Sequence, residues 1–393
     1  MKVLSIGMDR KLFEEGSAVL ERQKEYAYKM EELHIIVFSL AKHNLQAKKI
    51  NNLYIYPTNS RSRISFLFDA YRIGKKIIIA HNFSPKSGVV SAQDPMGIVG
   101  FIISRRFKLP LQLQIHTDIF NPYFRNSLTN WLNFWYSGWV HVPLAKFLIP
   151  RAEGLRVVNS TIMDSIKKRF PDLKANPDVL PVFVDTEKIL NSLTKADIKK
   201  DLPQFESVIL MASRLTKEKR IDIALYAMKK VIVQFPEAGL VICGTGGERN
   251  NLELLVKRLG LTKNIVFLGW RADLISLYKT ADIFLLTSEY EGYGMTLLEA
   301  GASGCPIVTT KVGLADTNLF KDNENSLICP VGDIDCISQK LMLFISDRSR
   351  LELFKQRMQD SIKKLAVSKE QYVANYVGLL ESILKINSNK KNV

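Results

Sequence analysis

Short apolar runs alternate with amphipathic stretches along most of this chain, and the alternation occurs twice. In the first half, spacing typical of helices lies between several of the apolar runs, as in Val19–Leu33 and Met96–Arg106. Alternating strands and helices predict a parallel sheet flanked by helices. The strands predicted in this half are Val3–Ile6, Ile35–Phe38, Leu53–Tyr56, Lys76–Ala80, Val89–Ser91, Leu111–Ile115, Leu155–Val158 and Val182–Val184.

The second half repeats this pattern and closes with helical stretches within residues 347–386. Its predicted strands are Ser207–Met211, Gly239–Cys243, Asn264–Leu268, Asp282–Leu286, Pro306–Thr309 and Ser326–Cys329. We therefore expect an α/β protein with two doubly wound, Rossmann-like sheets in tandem. Because ligands of such sheets bind outside the carboxyl ends of the strands, the two domains are expected to face each other across a cleft.

The length of the chain also indicates two domains, because 393 residues exceed what one ordinary hydrophobic core supports. We expect an N-terminal domain at residues 1–190, a C-terminal domain at residues 191–360 and a C-terminal helix at residues 361–393. The polar stretch 186–205 predicts the linker between the domains. No apolar run is long enough to cross a membrane, and charged residues interrupt the apolar start of the chain, so we expect a cytoplasmic protein.

Basic residues are concentrated in the first half of the chain. Residues 1–200 hold 30 Lys and Arg against 17 Asp and Glu, and the remainder holds 25 against 22, within a net charge of +16. A basic face suits nucleic acid, anionic lipid or a phosphorylated substrate. The sequence contains no recognisable nucleic-acid-binding motif, so we expect no nucleic-acid partner.

Three tryptophans, Trp131, Trp135 and Trp139, have the spacing of one helical face, and Arg125 and Lys146 flank them. An aromatic stripe beside basic residues suits a bilayer interface or a lipid-linked acceptor. A helix packed on its own domain explains the same spacing equally well. The sequence leaves both interpretations open.

The cysteines and the acidic pairs give no sign of a metal site. All four cysteines, which lie in the second half, lack a C-x-x-C pair, so we expect free buried thiols: Cys243, Cys305, Cys329 and Cys336. Asp333 and Asp335 have D-x-D spacing, but the turn Pro330–Asp333 precedes a helical stretch, which favours a helix cap. The sequence therefore predicts no metal ligand.

The segment EGYGMTLLE, between Glu291 and Glu299, follows an apolar run and leads into a helical pattern. A strand, a glycine-containing turn and a helix start would direct free backbone N–H groups and the positive end of the helix dipole at one point. An anion suits that point, whereas the two carboxylates suit hydroxyl groups on either side of it. A nucleotide-sugar has this layout of ribose, diphosphate and sugar.

This arrangement resembles the E-x7-E motif of the retaining GT-B glycosyltransferases of the group 1 family (family 4). The resemblance implies that Glu299 binds the ribose hydroxyls and that Glu291 binds hydroxyls of the transferred sugar. Backbone N–H groups between them would bind phosphate and sugar: Gly292, Tyr293, Gly294, Met295 and Thr296.

A second motif lies between a predicted strand and the predicted helix Ile221–Val231. Arg214 and Lys219 are both suited to bind a diphosphate, and the segment resembles the family's G-R-L-x-x-x-K-G sequence. The resemblance implies that these two cations stabilise the departing diphosphate. Ser213 stands at the position of the motif's small residue, and Arg220 replaces the glycine after the lysine, so this turn departs from the family's pattern.

Weaker resemblances add further candidates. A lone G-x-G more often marks a tight turn, but in the family this loop, here with Gly244 and Gly246, lies near the nucleotide and diphosphate. The segment with Trp270 and Arg271 resembles the one beside the base. His116, at a strand end, resembles a histidine that contacts the transferred sugar and the acceptor side. The segment with Gly16, after the first predicted strand, resembles the glycine loop that lies near the donor phosphates in the family.

The resemblance as a whole implies a metal-independent, hexosyltransferase-type enzyme without a cofactor. Its donor would be a UDP- or GDP-linked sugar bound by the C-terminal domain, and its acceptor a glycan or lipid-linked glycan bound by the N-terminal domain. The last helix would cross back to the N-terminal domain. Polysaccharide biosynthesis at the inner face of the plasma membrane, with peripheral attachment through the basic, Trp-rich domain, is the expected setting.

Two other classes of protein share some of these sequence features. A nicotinamide-dependent oxidoreductase also uses doubly wound sheets, but it needs G-x-G-x-x-G after the first strand, and the segment Ile6-Gly7-Met8-Asp9 lacks it. A non-catalytic binder of lipid or polyanion would use only the basic first half. Such a binder would not need Glu291 and Glu299.

Overall fold

The computed structural model describes residues 1–94, 97–126, 138–364 and 367–389. Two compact units divide the chain: unit 1 contains Met1–Pro181 and Ser368–Val393, and unit 2 contains Val182–Val367. Trp131 and Trp135 lie outside the described residues, and so does the side chain of Trp139. The tryptophan stripe therefore stays a prediction.

Unit 1 is built on a sheet of eight strands in the order β3-β4-β2-β1-β5-β6-β7-β8. Every neighbouring pair is parallel except β3 and β4. The strands are β1 Lys2–Gly7, β2 Glu32–Val37, β3 Lys48–Ile50, β4 Leu53–Pro57, β5 Gly88–Gln93, β6 Leu111–Ile115, β7 Gly154–Val157 and β8 Pro177–Val179. The chain reverses its direction of strand addition between β1 and β5, which is the switch point of the sheet.

Helices connect most of these parallel strands, because a parallel connection must cross a whole strand length. The helices of unit 1 in this part of the chain are α1 Ala18–Tyr28, α2 Phe66–Ala80, α3 Gly97–Phe107, α4 Pro122–Asn126, α5 Gly138–Leu148 and α6 Ser160–Arg169. Gly74 of α2 lies so close to α3 that a Cβ atom there would be 2.6 Å from Cδ1 of Ile103.

The prediction of a strand at Lys76–Ala80 is wrong, because these residues form the last turns of α2. Three consecutive isoleucines suit a strand by composition. Burial along the whole segment follows a helical period instead, with Ala70, Gly74 and Ile77 buried and Phe68 exposed. The predicted strand at Val182–Val184 is also wrong, since the last strand of unit 1 is β8.

Unit 2 is built on a six-stranded parallel sheet in the order β11-β10-β9-β12-β13-β14. The strands are β9 Ser207–Ala212, β10 Ala238–Cys243, β11 Ile265–Gly269, β12 Ile283–Leu286, β13 Ile307–Thr310 and β14 Leu327–Cys329. From β9 the chain adds β10 and β11 on one side of the sheet, and it then adds β12, β13 and β14 on the other side. The predicted fold class of two doubly wound α/β sheets is confirmed.

The helices of unit 2 lie before its first strand, between its strands and after its last strand. They are α7 Thr186–Asn191, α8 Ile198–Asp201, α9 Ile221–Gln234, α10 Arg249–Leu259, α11 Leu274–Thr280, α12 Met295–Ala302, α13 Ile334–Ser346 and α14 Arg348–Lys363. The segment 186–205 is not a free linker, because Ile189, Ile198 and Phe205 are buried in the core of unit 2. Asp282 fixes it further by accepting from Lys199 at 2.5 Å.

The last helix, α15 Lys369–Asn389, packs on the sheet of unit 1. Its tyrosines join a buried polar network at the sheet surface. Nε2 of Gln114 donates to the hydroxyl of Tyr376 at 3.2 Å, and Nη2 of Arg156 donates to the hydroxyl of Tyr372 at 2.9 Å. Buried polar groups must be paired, so this network fixes the position of α15.

The prediction of four free thiols is wrong for one pair. Cys329 and Cys336 form a disulfide between the end of β14 and the first turn of α13, whereas Cys243 and Cys305 are buried free thiols. Asp333 caps α13, its carboxylate accepting from the backbone N–H of Cys336 at 2.9 Å, as the sequence predicts. None of the described helices combines the length and apolar composition that crossing a bilayer requires.

Candidate functional site

The two principal motifs meet at the switch point of unit 2. Residues 213–219 follow β9, and residues 287–294 follow β12, and β9 and β12 are paired neighbours in the sheet. Because parallel strands present their carboxyl ends at the same edge, the two loops lie side by side. This edge is where ligands of open α/β sheets bind.

Lys219 and Glu291 form the central contact of this site. Nζ of Lys219 lies 2.7 Å from Oε1 of Glu291, and the side chains are only 12% and 13% exposed. The hydroxyl of Ser288 donates to the same carboxylate oxygen at 2.7 Å. Glu291 keeps its second carboxylate oxygen as a hydrogen-bond acceptor, and Lys219 keeps its remaining N–H donors. A ligand at this site would bind to these groups.

Further hydrogen bonds lock the two loops together. The hydroxyl of Thr287 donates to the carbonyls of Lys219 at 3.1 Å and Arg220 at 2.9 Å. The N–H of Glu289 donates to the carbonyl of Glu218 at 2.8 Å. Lys219 is thus positioned through its backbone as well as through its ion pair.

Arg220 adopts the left-handed conformation that the glycine of the family motif would favour, with φ of 45°. Its guanidinium pairs with Asp222 at 3.1 Å and with Glu289 at 3.6 Å. These ion pairs hold the Arg220 side chain at the turn, although its backbone lies in a region that residues with a side chain rarely adopt. The departure from the motif therefore leaves the turn before α9 intact.

The glycine-containing turn leads into α12 as the sequence predicts. Gly294 precedes the helix with φ of 89°, and α12 begins without a side-chain cap. Gly313 packs closely against this turn: a Cβ atom there would lie only 2.7 Å from the carbonyl oxygen of Tyr293. The N–H of Leu314 donates to that carbonyl at 2.8 Å. Among the described residues, none accepts a hydrogen bond from the N–H groups of Met295 and Thr296, and such groups at a helix start suit an anion.

Glu299 lies one turn further along α12 and is partly buried. Among the described residues, no side chain or backbone group bonds to its carboxylate. Burial without compensation raises the pKa of this carboxyl above its ordinary value. A half-buried, unpaired carboxylate is a strong hydrogen-bond acceptor, so hydroxyl groups of a ligand are its natural partners.

Arg214 does not contact either glutamate of the motif. Its side chain is 74% exposed, and Nη2 lies 3.1 Å from Oε1 of Glu218, four residues later. The structure therefore brings Lys219 and Glu291 together and leaves Arg214 at the rim. An exposed pair of this kind contributes little to stability, so Arg214 can change partner at low cost.

The glycines of the loop after β10 have a structural role. A Cβ atom at Gly244 would overlap the carbonyl oxygen of Ser213, and one at Gly246 would overlap the carbonyl oxygen of Leu215. The N–H of Ser213 donates to the carbonyl of Cys243 at the end of β10, and the N–H of Leu215 donates to the carbonyl of Thr245 in the loop, both at 3.0 Å. Gly244 and Gly246 thus allow the loop to lie against the segment that carries Arg214.

The segment beside the predicted base site has an exposed ring and a paired cation. Trp270 is 71% exposed. Nη2 of Arg271 lies 2.6 Å from Oδ2 of Asp273. Gly269 takes φ of 71° at the end of β11, and its carbonyl accepts from the N–H of Gly244 at 2.6 Å. The segment is thus joined to the loop after β10 by its backbone.

The candidates of unit 1 lie at the same kind of edge in its own sheet. Gly16, with φ of 73°, precedes the N-cap Ser17 of α1 in the loop after β1. His116 directly follows β6, and its Nε2 atom is buried without a partner among the described residues. Burial, with the charges of Arg156 and Arg22, lowers the pKa of His116 to about 3, so its ring is neutral.

Sequence reasoning missed several residues that build the site. Ser288 and Thr287 orient Glu291 and the Lys219 loop, and the pair of hydroxyl residues directly after a strand run was the available signal. Gly313 had no such signal, because it reaches the turn from the connection after β13. Asp94 is not one of these missed residues, because the segment 91–95 is also a candidate from the sequence for the acceptor side; Asp94 directly follows β5, and burial raises its pKa to about 7.

The chain resembles known proteins in both sequence and fold. Residues 194–381 match the family described as Glycosyl transferases group 1. N-acetyl-alpha-D-glucosaminyl L-malate synthase of Bacillus anthracis is 25% identical over 252 residues, covering 63% of this chain and 64% of that protein. The lipopolysaccharide core biosynthesis glycosyltransferase LpsE of Rhizobium meliloti (strain 1021) is 26% identical over 219 residues, covering 55% of this chain and 62% of that protein.

The chain thus spans less than two thirds of the length of these curated relatives. The crystal structure of Anabaena HepE in complex with UDP has a TM-score of 0.69 at 19% identity, covering 99% of this chain and 100% of that one. At that identity the likeness concerns the fold. The family match over residues 194–381, just under half of the chain, and this likeness of fold indicate a glycosyltransferase of the group 1 type with the GT-B fold.

Proposed function

We propose that this protein transfers a sugar from a nucleoside diphosphate sugar to an acceptor hydroxyl, with retained anomeric configuration. The unpaired carboxylate of Glu299, one turn beyond an uncapped helix start, is the observation that carries the proposal. The Lys219–Glu291 pair lies on the other side of that turn. Together they offer two sites for hydroxyl groups and one for an anion between them.

The roles follow from the chemistry of each group. Glu299 binds the ribose hydroxyls, and the carboxylate of Glu291 binds hydroxyls of the sugar. The backbone N–H groups of residues 292–296 bind phosphate and sugar, with the positive end of α12 behind them. Lys219 uses its remaining donors on the diphosphate, and Arg214 turns from Glu218 to the same group. Unit 2 is then the donor-binding unit and unit 1 the acceptor-binding unit.

The reaction requires charge stabilisation more than an enzymatic nucleophile. The bond between the anomeric carbon and the diphosphate oxygen breaks, and a bond to the acceptor oxygen forms on the same face of the sugar. The acceptor proton passes to the departing phosphate oxygen. Arg214, Lys219 and the start of α12 stabilise the charge on the leaving diphosphate, which is the task a divalent metal performs in other transferases.

Related proteins indicate the class of donor and acceptor. UDP occupies the Anabaena HepE structure, and the Rhizobium relative is named for lipopolysaccharide core biosynthesis. We therefore favour a UDP-linked sugar as donor, with GDP as the alternative base, and a lipid-linked or surface-polysaccharide glycan as acceptor. No further cofactor is needed for this chemistry.

Helix α2 supports a peripheral attachment to an anionic membrane surface. Phe68, which is 74% exposed, and Ile79 share the outer face of this helix with Arg72, Lys75 and Lys76. Exposed aromatic and aliphatic side chains among cations are typical of helices that lie at a bilayer interface. Such a contact would hold the protein beside a lipid-linked acceptor at the inner face of the membrane.

A panel of nucleotide-sugars tests the proposal directly. We expect a UDP- or GDP-linked sugar to raise the melting temperature of the wild-type protein, and the same compound to be hydrolysed slowly without an acceptor. Proton NMR of the first product would show the anomeric configuration. If no member of the panel raises the melting temperature, the donor site is wrongly assigned; if the configuration is inverted, the retaining mechanism is wrong.

A further inference from the structure

Three side chains with metal-ligating atoms converge at the amino end of β2 in unit 1. Glu32 begins the strand, His34 follows two residues later on the same face, and His81 is the C-cap of α2. One nitrogen from each histidine and one carboxylate oxygen all lie within 4.8 Å of one another. The residues are far apart in sequence, so only the fold brings them together.

The separations suit a tetrahedral metal. Oε2 of Glu32 lies 3.3 Å from Nε2 of His34 and 3.2 Å from Nδ1 of His81. Metal–ligand bonds of about 2.0–2.1 Å at tetrahedral angles place neighbouring ligand atoms roughly 3.3 Å apart. Both distances are also longer than the usual N–H···O hydrogen bond of about 2.9 Å. A single ion would therefore join the carboxylate oxygen to either nitrogen with little movement, and the two nitrogens themselves lie within 4.8 Å of each other.

The surroundings are those of a metal site that opens to one side. The His34 side chain has no exposure, while those of Glu32 and His81 are 21% and 24% exposed. Nδ1 of His34 lies 3.3 Å from the hydroxyl of Tyr56, and its ring stacks on Tyr54. Such partners orient a ligating imidazole, and the open side leaves room for water as a fourth ligand.

We propose that Glu32, His34 and His81 bind one divalent transition-metal ion, with zinc as the best match to two imidazoles and a carboxylate. The site belongs to the amino edge of the sheet, whereas Gly16 and His116 follow the carboxyl ends of their strands. The ion therefore has a structural role and takes no part in sugar transfer: it ties the end of α2 to the start of β2.

Lys2 provides an internal competitor for this ion. Its ammonium lies 3.7 Å from Oε2 of Glu32, and it donates to the carbonyl of His81 at 2.7 Å. It also pairs with Glu31 at 3.4 Å, which can retain it when the metal binds. A cation at this distance lowers the affinity of the site for a second cation. Removal of the ammonium should therefore strengthen metal binding.

The test uses the full-length protein without a histidine tag, after treatment with a chelator. Titration with Co²⁺ should produce the visible absorption bands of a tetrahedral complex at one equivalent, and Zn²⁺ should remove them. His81→Gln leaves the buried His34 in place and should weaken Zn²⁺ binding beyond the about 10–100-fold that loss of an outer partner costs. His43→Gln, which changes an exposed histidine elsewhere in unit 1, is the matched control and should bind as the wild type does.

Two further measurements separate a metal site from a group of ion pairs. Zn²⁺ should raise the melting temperature of the wild type and of the His43 variant but not of His81→Gln. Lys2→Met should bind Zn²⁺ several-fold more tightly than the wild type. Absence of the cobalt bands, or equal Zn²⁺ affinity of the His81 and His43 variants, would show that these side chains only hydrogen-bond to one another.

Discussion

Nζ of Lys219 lies 2.7 Å from Oε1 of Glu291, so the cation of one motif is directly paired with the first carboxylate of the other. The two residues are 72 positions apart, and each follows one of two paired parallel strands. The pairing keeps a nearly buried ammonium and a nearly buried carboxylate from facing the site unpaired. In the proposed reaction, the diphosphate would therefore share Lys219 with Glu291.

Removal of either partner should destabilise unit 2. Lys219→Met or Glu291→Gln alone should each lower the free energy of unfolding by about 1.5–3 kcal/mol, because a charged hydrogen-bond partner is left without its counterpart. The double variant should recover part of that loss. Urea unfolding of the four proteins gives the coupling energy. If the double variant loses the full sum of the single losses, the pair is not a coupled unit.

Glu299→Gln should separate ligand binding from stability. The neutral amide removes the cost of burying an unpaired charge, so the ligand-free variant should be as stable as the wild type or more so at neutral pH. Affinity for the nucleotide-sugar should fall roughly 10–100-fold, because a charged hydrogen bond contributes about 1.5–3 kcal/mol. Melting temperatures with and without ligand measure both effects. Glu237→Gln, at an exposed turn position, should change neither.

The sign of the pH dependence follows from the raised pKa of Glu299. A carboxyl with a higher pKa in the folded state binds more protons when folded, so its contribution to stability falls as the pH rises from its ordinary pKa to the raised value. Glu299→Gln should abolish that part of the pH dependence. Identical unfolding profiles for the wild type and the variant across the acidic range would argue against an unpaired, buried carboxyl.

Gly246→Ala should disturb the segment that carries Arg214. The added methyl group overlaps the carbonyl oxygen of Leu215, and overpacking of this kind costs about 1–3 kcal/mol. Gly247→Ala is a matched control, since a Cβ atom there meets nothing within 4 Å. We expect the first variant to lose both stability and nucleotide-sugar binding, and the second to keep both. Equal behaviour would mean that the loop after β10 adjusts freely.

The sequence predicts the fold well because its information is periodic. Strands of both sheets match the apolar runs, since a parallel strand buried on both faces must be apolar along its length. Prediction from composition is wrong where composition and periodicity disagree. The isoleucines at the end of α2 suggest a strand, whereas the 3.6-residue burial pattern of the whole segment identifies a helix. The two edge strands of unit 1, β3 and β8, were missed because only three residues form each of them.

The site was accessible to sequence reasoning only in part. Glu291, Glu299 and Lys219 stand in recognisable local patterns, but the pairing of Lys219 with Glu291 depends on which strands are neighbours. The disulfide between Cys329 and Cys336 and the convergence of His34 with His81 likewise depend on three-dimensional placement. Spacing along the chain carries no signal for such contacts.

His116 should make the protein less stable in mild acid. Its pKa is lowered from 6.5 to about 3 in the folded state, so below pH 6.5 the unfolded state binds a proton that the folded state does not. Between about pH 7.5 and pH 5, this single group should reduce the free energy of unfolding by about 2 kcal/mol. Urea unfolding at both pH values should show a loss about 2 kcal/mol smaller in His116→Asn than in the wild type. Equal losses of unfolding free energy in the two proteins would show that a group other than His116 binds the proton.

Helix α2 should determine binding to anionic vesicles. Each basic residue near such a surface contributes about 1 kcal/mol, so Lys75→Gln/Lys76→Gln should weaken binding by more than tenfold, and Phe68→Ser should weaken it further by removing the inserted ring. Co-sedimentation with phosphatidylcholine vesicles, with and without phosphatidylglycerol, measures this, and added salt should reduce the lysine contribution.

The control for this experiment is Lys363→Gln/Lys364→Gln, an exposed lysine pair at the end of α14 in unit 2. It removes the same charge from the molecule and leaves α2 unchanged. Because net charge alone attracts a basic protein to an anionic surface, only a difference between the two double variants locates the contact on α2. Equal weakening would indicate diffuse attraction, and the proposed attachment through this helix would then be abandoned.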